Sequence, residues 1–302
     1  MLEKIQKITN QIRLDIKKEV TLIKEKYNLV PKIAVILIGD NKASWNYVKM
    51  KQNVAFTLGI ESELFHFNKN STTEEILNCL YQLNSSSEVD AILVQMPLPS
   101  HIDKNLIIEA INPNKDVDGL TSINCGKLFV GIFNELSLIP CTPLGCLHLI
   151  LSEVNIISKK VLVIGNSNIV GKPLSRLLNE QKATVTVANS ATKDLKSLCL
   201  NSDIIISATG CKNLIQSHMI KSDQMIIDVG NTYEIIDGQQ KVFGDVDYNA
   251  CINITRNITP VPGGVGPMTI SYLMHNIVIC FARNKDISIG SSYVLALLHN
   301  TL

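Results

Sequence analysis

Short apolar runs alternate with helix-periodic segments along most of the chain. The runs over 32–39 and 160–165 each begin with a lysine, continue without a polar residue and end in Gly39 and Gly165. A strand that is apolar on both faces is typical of a buried parallel strand, and strands that alternate with helices form βαβ units. The sequence therefore predicts an α/β fold with parallel sheets. Predicted strands cover 32–39, 60–67, 90–95, 160–165, 183–188, 203–207 and 225–229, and predicted helices cover 1–27, 43–58, 72–84, 171–180, 195–200, 269–283 and 291–300.

The alternation stops in the middle of the chain and then restarts. The first series ends with Met96-Pro-Leu-Pro99, and the second begins at Lys160. A chain of 302 residues suits one large domain or two of ordinary size. We therefore expect two α/β lobes with a seam near 140–144, and a C-terminal helix that folds back on the first lobe.

Charge and cysteine spacing exclude several classes of protein. The 28 Lys and Arg residues balance the 27 Asp and Glu residues to +1, and aromatic residues make up only 5%. Neither nucleic acid nor an anionic membrane is therefore an expected partner. The eight cysteines include no CxxC pair, which argues against a zinc site or a disulfide framework. The charged N-terminus is not a secretory signal, and no apolar run reaches the roughly 18 residues that span a bilayer. These features predict a soluble cytoplasmic protein.

The segment Gly165-Asn-Ser-Asn-Ile-Val-Gly171 follows a predicted buried strand and opens a predicted helix. Glycines in such a turn let backbone N–H groups approach a phosphate at the helix N-terminus. The spacing is not GxGxxG, because Ser167 occupies the second glycine position, and an ordinary strand-to-helix turn is equally compatible with it. Small residues at 207–210 and 229–231 end two further strands, and such strand ends line the crevice where nucleotides bind.

Three motifs in the first half place polar groups where catalysis or binding can occur. Tyr47 and Lys51 share a helix face, and Gln95 ends a predicted strand. Asp116 and Asp118 stand in a loop bounded by proline and glycine; ligand donors suit this loop better than a metal, because no His or third acid lies nearby. A solvated helix face and a plain strand end are the simpler interpretations of the first two motifs.

The segment 259–269 is the most unusual stretch of the chain. Its residues 260–267 contain three Gly and three Pro and precede a predicted helix. We predict a rigid loop with close backbone approach. Anchoring of a ligand is favoured over a purely structural turn, because a turn needs neither this length nor this density of Gly and Pro.

In this order, the motifs resemble the bifunctional methylenetetrahydrofolate dehydrogenase/methenyltetrahydrofolate cyclohydrolase family. The resemblance covers essentially the whole chain and rests on Tyr47-x-x-x-Lys51, 94–99, 116–119 with 124–126, 140–143, 165–173 and 260–269. It implies a cleft between a catalytic domain over 1–143, completed by a helix over 273–302, and a Rossmann-like NAD(P)-binding domain over 144–272. It also implies a homodimer without a metal, which oxidises 5,10-methylenetetrahydrofolate and hydrolyses the methenyl product to 10-formyltetrahydrofolate.

The match implies a role for each site residue. Lys51 would be the central catalytic group, and Gln95 would hydrogen-bond it and help set its charge state. Tyr47 would stack along the folate aryl ring, and Asp118 would hold the pterin. The implied substrate-binding residues are Tyr47, Val94, Gln95, Met96, Asp118, Pro262, Gly263 and Gly264. The implied cofactor-binding residues are Thr142, Gly165, Asn166, Ser167, Ile169, Val170, Gly171, Ser190, Asn231, Gly266 and Thr269.

Two departures from the family pattern concern the cofactor. Many relatives have Arg where this chain has Asn166, and many have a His followed by Ser or a basic residue where 189–191 read Asn-Ser-Ala. A 2′-phosphate normally recruits a cation, and here Ser190 with nearby Lys172 or Lys193 is available. NADP is the expected cofactor, and NAD is the alternative.

Two other classes share parts of the pattern. An amino-acid or shikimate-type dehydrogenase would also have two α/β lobes and a Gly-rich turn, but it would not require the 260–267 segment together with Lys51 and Gln95. A non-catalytic small-molecule-binding protein could keep both lobes. The joint presence of Tyr47, Lys51, Gln95 and Asp118 argues against it.

Overall fold

The computed structural model describes residues 1–236, 239–290 and 297–298. The helices are α1 (Leu2–Tyr27), α2 (Lys42–Leu58), α3 (Thr73–Ser85), α4 (Lys104–Glu109), α5 (Ser122–Val130), α6 (Cys141–Leu151), α7 (Gly171–Glu180), α8 (Leu195–Leu200), α9 (Tyr248–Cys251) and α10 (Val265–Lys285). The strands are β1 (Lys32–Ile38), β2 (Glu61–Phe67), β3 (Ala91–Val94), β4 (Lys160–Ile164), β5 (Thr184–Ala188), β6 (Ile204–Ser207), β7 (Met225–Asp228), β8 (Thr232–Ile236) and β9 (Gln239–Phe243). These elements form two compact units.

The first unit, called here the three-stranded unit, contains the described residues 11–140 and 270–290. Its sheet has the order β2-β1-β3, and both pairs are parallel. Six of the seven residues of the central strand β1 are buried, which explains its continuous apolar run. On one face, Ala34, Ile36 and Ile38 pack with Ile76 and Leu80 of α3.

The second unit, the four-stranded unit, contains the described residues 1–10, 141–236, 239–269 and 297–298. Its sheet has the order β5-β4-β6-β7, and all pairs are parallel. Every residue of β6 and β7 is buried, whereas the edge strand β5 has one buried residue. A separate antiparallel hairpin pairs β8 with β9. The predicted α/β fold with parallel sheets is confirmed.

Each predicted strand is present, and its ends differ from the prediction by a residue or less. The predictions are wrong at two helix starts. α10 begins at Val265 rather than at 269, and α6 occupies the region where the sequence predicts only a seam. Both helices carry a proline, Pro267 and Pro143, as their third residue. Proline is tolerated there because the first four N–H groups of a helix have no partner within it. The predicted helix over 291–300 lies outside the described residues apart from 297 and 298.

α10 also corrects the expectation that no apolar segment has bilayer-spanning length. Among the described residues, it is the one helix that is long and apolar enough to cross a membrane. However, 83% of its apolar stretch is buried inside the fold, including Tyr272 and Phe281. α10 is therefore a core helix.

The chain passes between the two units at Pro140–Cys141 and again within α10 at Thr269–Ile270. It also passes between them within α1, after Asn10. Two long helices thus contribute residues to both units. The domain bounds expected from the sequence, 1–143 with 273–302 and 144–272, stay a prediction.

Candidate active site and cofactor-binding edge

Lys51 lies on the buried face of α2. The helix begins after Asn41, whose side chain accepts hydrogen bonds from the N–H groups of Ala43 and Ser44, and it ends at Gly59, whose φ of 80° is left-handed. These caps satisfy backbone groups that a helix leaves unpaired at its ends. Lys51 is only 8% exposed, so most of its side chain is removed from water.

A hydrogen bond joins Lys51 to Gln95. Nζ of Lys51 lies 2.9 Å from Oε1 of Gln95, the residue that directly follows β3. Nε2 of Gln95 donates to the backbone oxygen of Met96 at 2.6 Å, and its backbone N–H donates to Ile36 at 2.9 Å. These contacts hold Gln95 with its carbonyl oxygen toward the amino group of Lys51.

The ring of Tyr47 lies beside this pair. Tyr47 stands one turn before Lys51 on α2, and Nζ of Lys51 lies 5.6 Å from the ring centroid. The structure therefore brings together three of the four residues expected to be catalytic, Tyr47, Lys51 and Gln95. An amino group in this setting accepts a proton when it is neutral and donates one when it is charged.

The two carboxylates of the Asp116–Gly119 loop, those of Asp116 and Asp118, lie in different surroundings. Asp116 is buried and accepts hydrogen bonds from the N–H groups of Leu120 and Thr121 at 3.1 and 2.8 Å. It also accepts from the Thr121 hydroxyl at 2.8 Å and from Nδ2 of Asn124 at 2.9 Å. Asp116 is thus part of the loop framework, and it does not share a ligand site with Asp118, which is half-buried. Among the described residues, no group of three or more His, Cys, Asp or Glu is arranged to hold a metal ion.

α10 fixes the backbone around Asp118. Nδ2 of the buried Asn276 donates to the backbone oxygens of Val117 and Ile139 at 2.8 and 2.9 Å. Gly119 has a φ of 66°, and a Cβ there would lie 2.9 Å from a backbone oxygen. We did not predict this contribution of Asn276, because no local pattern connects it to a loop so distant in the sequence.

In the four-stranded unit, the 165–171 turn closes tightly on itself. Gly165 has a φ of 111°, and a Cβ there would lie 2.4 Å from the backbone oxygen of Ala208. A Cβ on Gly171 would lie 1.9 Å from the backbone oxygen of Gly165. Oγ of Ser167 accepts from the N–H of Val170 at 3.1 Å. Only glycine fits at these two positions, and the turn leads to the N-terminus of α7, a position at which helices in general can bind phosphate groups.

The residues expected near a 2′-phosphate are exposed. Asn166 follows the first glycine of the turn, and Ser190 and Lys193 follow β5. Nζ of Lys172 donates to Oδ1 of Asn168 at 2.7 Å, within the turn. The other residues expected to bind cofactor belong to the same unit and are Thr142 on α6, Ile169 and Val170 in the turn, Asn231 after β7, and Gly266 and Thr269 on α10.

The proline- and glycine-rich segment is a shorter loop than predicted, because 265–269 already belong to α10. A Cβ on the buried Gly264 would lie 2.5 Å from the backbone oxygen of Pro260. Oγ1 of Thr269 lies 3.0 Å from Oγ1 of Thr142, which links α10 to α6. Pro262, Gly263 and Gly264, expected to bind substrate, belong to the four-stranded unit, whereas Val94 and Met96 flank Gln95 in the three-stranded unit.

We did not single out two buried aspartates at the carboxyl edge of the four-stranded sheet. Asp228 is the last residue of β7, and Asp245 follows β9. Burial raises the pKa of Asp228 to about 6. The sequence signal for Asp228 is a carboxylate at the end of an apolar strand. Asp245 has no such signal, because β8 and β9 separate it from Asp228 in the sequence.

Known proteins match this chain along most of its length. The tetrahydrofolate dehydrogenase/cyclohydrolase catalytic domain matches residues 4–118, and the NAD(P)-binding domain of the same family matches 140–285. The bifunctional protein FolD of Pelagibacter ubique is 42% identical over 93% of this chain and 98% of its own. The bifunctional protein FolD of Staphylococcus aureus is 42% identical over 93% of this chain and 96% of its own.

Solved structures match at the level of the fold. The crystal structure of the bifunctional enzyme FolD from Campylobacter jejuni has a TM-score of 0.86 and 40% identity, covering 92% of this chain and 98% of its own. A second match is methylenetetrahydrofolate dehydrogenase-cyclohydrolase from Trypanosoma brucei, solved in complex with NADP cofactor and inhibitor. Its TM-score is 0.88 and its identity 35%, and the match covers 91% of this chain and 95% of its own.

Proposed function

This chain belongs to the tetrahydrofolate dehydrogenase/cyclohydrolase family, and from this premise we propose that Lys51 and Gln95 form its hydrolytic centre. It is a bifunctional enzyme that oxidises 5,10-methylenetetrahydrofolate with NADP and hydrolyses the methenyl product to 10-formyltetrahydrofolate. The observation that carries the proposal is the 2.9 Å hydrogen bond between Nζ of Lys51 and Oε1 of Gln95.

The hydrolytic reaction needs a base that is not a fixed cation. The methenyl group is positively charged, water attacks its carbon, and a proton must leave the attacking oxygen. The neutral amino group of Lys51 takes this proton, and the ammonium so formed returns it to the folate nitrogen that is released as the ring opens. The second proton of the water, which remains on the new hydroxyl group, leaves to solvent as the formyl C=O bond forms. Gln95 holds one N–H of Lys51 through both steps.

The oxidation depends mainly on alignment. Bound NADP would supply the acceptor for the hydride that leaves the methylene carbon of the folate. Tyr47 stacks on the aryl ring of the folate, and Asp118 accepts hydrogen bonds from the pterin N–H groups. The 165–171 turn presents backbone N–H groups to the pyrophosphate at the start of α7.

Substitution of Lys51 tests the proposal. Lys51→Met should abolish methenyl hydrolysis and leave part of the dehydrogenase activity, because methionine has a similar volume but accepts no proton. Lys49→Met, the same change at an exposed position of α2, is the matched control and should leave both activities unchanged. Loss of methenyl absorbance and formation of NADPH measure the two reactions. Hydrolysis by Lys51→Met at the wild-type rate would show the proposal to be wrong.

We further propose that the enzyme is a cytoplasmic homodimer without a nucleic-acid or membrane partner. All eight cysteines lie within the described residues and are free thiols, which suits a reducing compartment. On the β8–β9 hairpin, Ile235 is 81% exposed, and we place this hairpin in the contact with the second copy.

A further inference from the structure

Asp228 and Asp245 are buried acids that the proposed mechanism does not use. Oδ1 of Asp228 accepts hydrogen bonds from the N–H groups of Gly230 and Asp245, both at 2.9 Å. Its Oδ2 accepts from the N–H of Val246 at 3.0 Å. Asp228 therefore ties the end of β7 to the segment that leaves the β8–β9 hairpin.

Asp245 extends this connection to β6. Its Oδ2 accepts from Oγ of Ser207 at 2.8 Å, from the N–H of Thr209 at 2.7 Å and from Oγ1 of Thr209 at 2.8 Å. Oγ1 of Thr209 in turn accepts from the N–H of Cys211 at 3.1 Å. Through the two carboxylates, the segments 207–211, 228–230 and 244–246 form one network.

The backbone fits closely around both side chains. A Cβ on Gly230 would lie 2.2 Å from Oδ1 of Asp245, and a Cβ on Gly244 would lie 1.9 Å from Oδ2 of Asp228. Oδ1 of Asp245 has no hydrogen-bond partner among the described residues, and neither acid forms an ion pair with a described cation. Two desolvated carboxylates without a counter-ion are costly for a fold, so their presence requires a reason.

Their place in the sheet supplies that reason. The 165–171 turn follows β4, and Ser190 follows β5, so the adenosine half of a dinucleotide lies at the β4–β5 side. In a doubly wound sheet the other half crosses the switch point to the next strands. Here those strands are β6 and β7, whose carboxyl ends lead into 207–211 and 228–231.

We propose that Asp245, supported by Asp228, is a positioning residue for the nicotinamide half of the cofactor. Asp245 holds the backbone at Thr209, and Asp228 holds it at Gly230, in the conformation against which that half binds. This inference rests on the proposed function only in requiring that NADP binds at this edge of the sheet.

The test compares Asp245→Asn with a matched buried variant at the other end of β7. Gln224 is 1% exposed and makes three hydrogen bonds just before β7, to Cys199, Ser202 and Lys221. Asp245→Asn replaces charge-assisted bonds with weaker neutral ones and should raise the KM and Kd for NADP at least tenfold. Methenyl hydrolysis should stay within twofold, because Lys51 and Gln95 belong to the three-stranded unit. Gln224→Met should lower the melting temperature but keep the KM for NADP within twofold.

A second variant covers the case in which Asp245→Asn does not fold. Ser207 is fully buried, and Ser207→Ala removes one of the three donors to Asp245, so the KM for NADP should rise about threefold. An unchanged KM in both variants, or an equal rise in Gln224→Met, would overturn the inference while leaving NADP use by the wild-type enzyme intact. Absence of NADP-dependent oxidation in the wild-type enzyme would instead contradict the proposed function.

Discussion

Burial on α10 lowers the pKa of His275 to about 4. The side chain, 3% exposed, therefore stays neutral in the folded protein at a pH where the unfolded chain takes up a proton, near the ordinary histidine pKa of about 6.5. Burial of neutral His275 therefore contributes fully to the free energy of unfolding above pH 6.5. This contribution is lost as the pH falls from 6.5 toward 4.

We expect the free energy of unfolding of the wild type to fall by about 2 kcal/mol more than that of His275→Gln between pH 7 and pH 5. Urea titrations at the two pH values measure this difference. His101 is exposed, so His101→Gln should follow the wild type. Equal losses in the wild type and in His275→Gln would contradict the assignment of a buried neutral histidine.

We predict that Asn166 weakens the preference of the enzyme for NADP over NAD. The residue is exposed in the turn that opens α7, where a cation could reach a 2′-phosphate. Asn166→Arg should raise the ratio of kcat/KM for NADP to that for NAD about tenfold, mostly through KM, since a charge-assisted bond is about twice as strong as a neutral one. The gain should shrink at high salt. No gain, in an enzyme that already rejects NAD, would point to Lys172 or Lys193 as the cation that reads the phosphate.

At the scale of elements, Gly145 sets the approach of α6 to α10. A Cβ at this position would lie 2.9 Å from Cβ of Met268, so Gly145→Ala should push the helices apart and cost about 1–3 kcal/mol. Gly126 also lies within a helix, α5, but a Cβ there would meet nothing within 4 Å. Gly126→Ala should stabilise the protein by roughly 0.5–1 kcal/mol. The urea concentration at the unfolding midpoint measures the stability change of each variant. If both variants shifted the midpoint in the same direction, contact between α6 and α10 would not explain the effect of Gly145→Ala.

Elements were predictable where a local pattern determines them. β1 and β4 are continuous apolar runs in the middle of parallel sheets, and burial on both faces leaves no other pattern. The starts of α6 and α10 were not predictable from Pro143 and Pro267, because proline marks a break in general and is harmless only in a first turn. The β8–β9 hairpin was missed although the sequence between its strands, Asp237-Gly238, favours tight hairpins.

The residues of the candidate site also fall into those marked by a local sequence pattern and those that only the folded chain brings together. The spacing of Tyr47 and Lys51 places them on one helix face, and Gln95 ends a strand, but only the resemblance of the combined motifs to a known family identified them as site residues. Asn276 and Asp245 were not found, because each acts on a segment that only the folded chain brings close. Asp116 was misjudged as a candidate ligand because its four hydrogen bonds come from residues whose loop conformation the sequence does not reveal.

At the scale of the whole molecule, we expect association into a dimer. Light scattering coupled to size-exclusion chromatography should give twice the 33.3 kDa of one chain. Ile235→Lys should shift the protein toward the monomer, because a charge on the exposed face of β8 opposes apolar contact. A wild-type mass of one chain would contradict the homodimer, and an unaffected dimer in Ile235→Lys would exclude this hairpin from the interface.

Because α1 and α10 contribute residues to both units, recombination within the coding sequence affects both units. Each unit is assembled from separate stretches of chain, and two of the crossings fall inside helices. No single continuous piece of the gene encodes either unit whole, and a cut at Asn10 or Thr269 would split a helix. A single crossover that exchanges one continuous half of this chain would therefore separate segments that belong to the same unit, in both units.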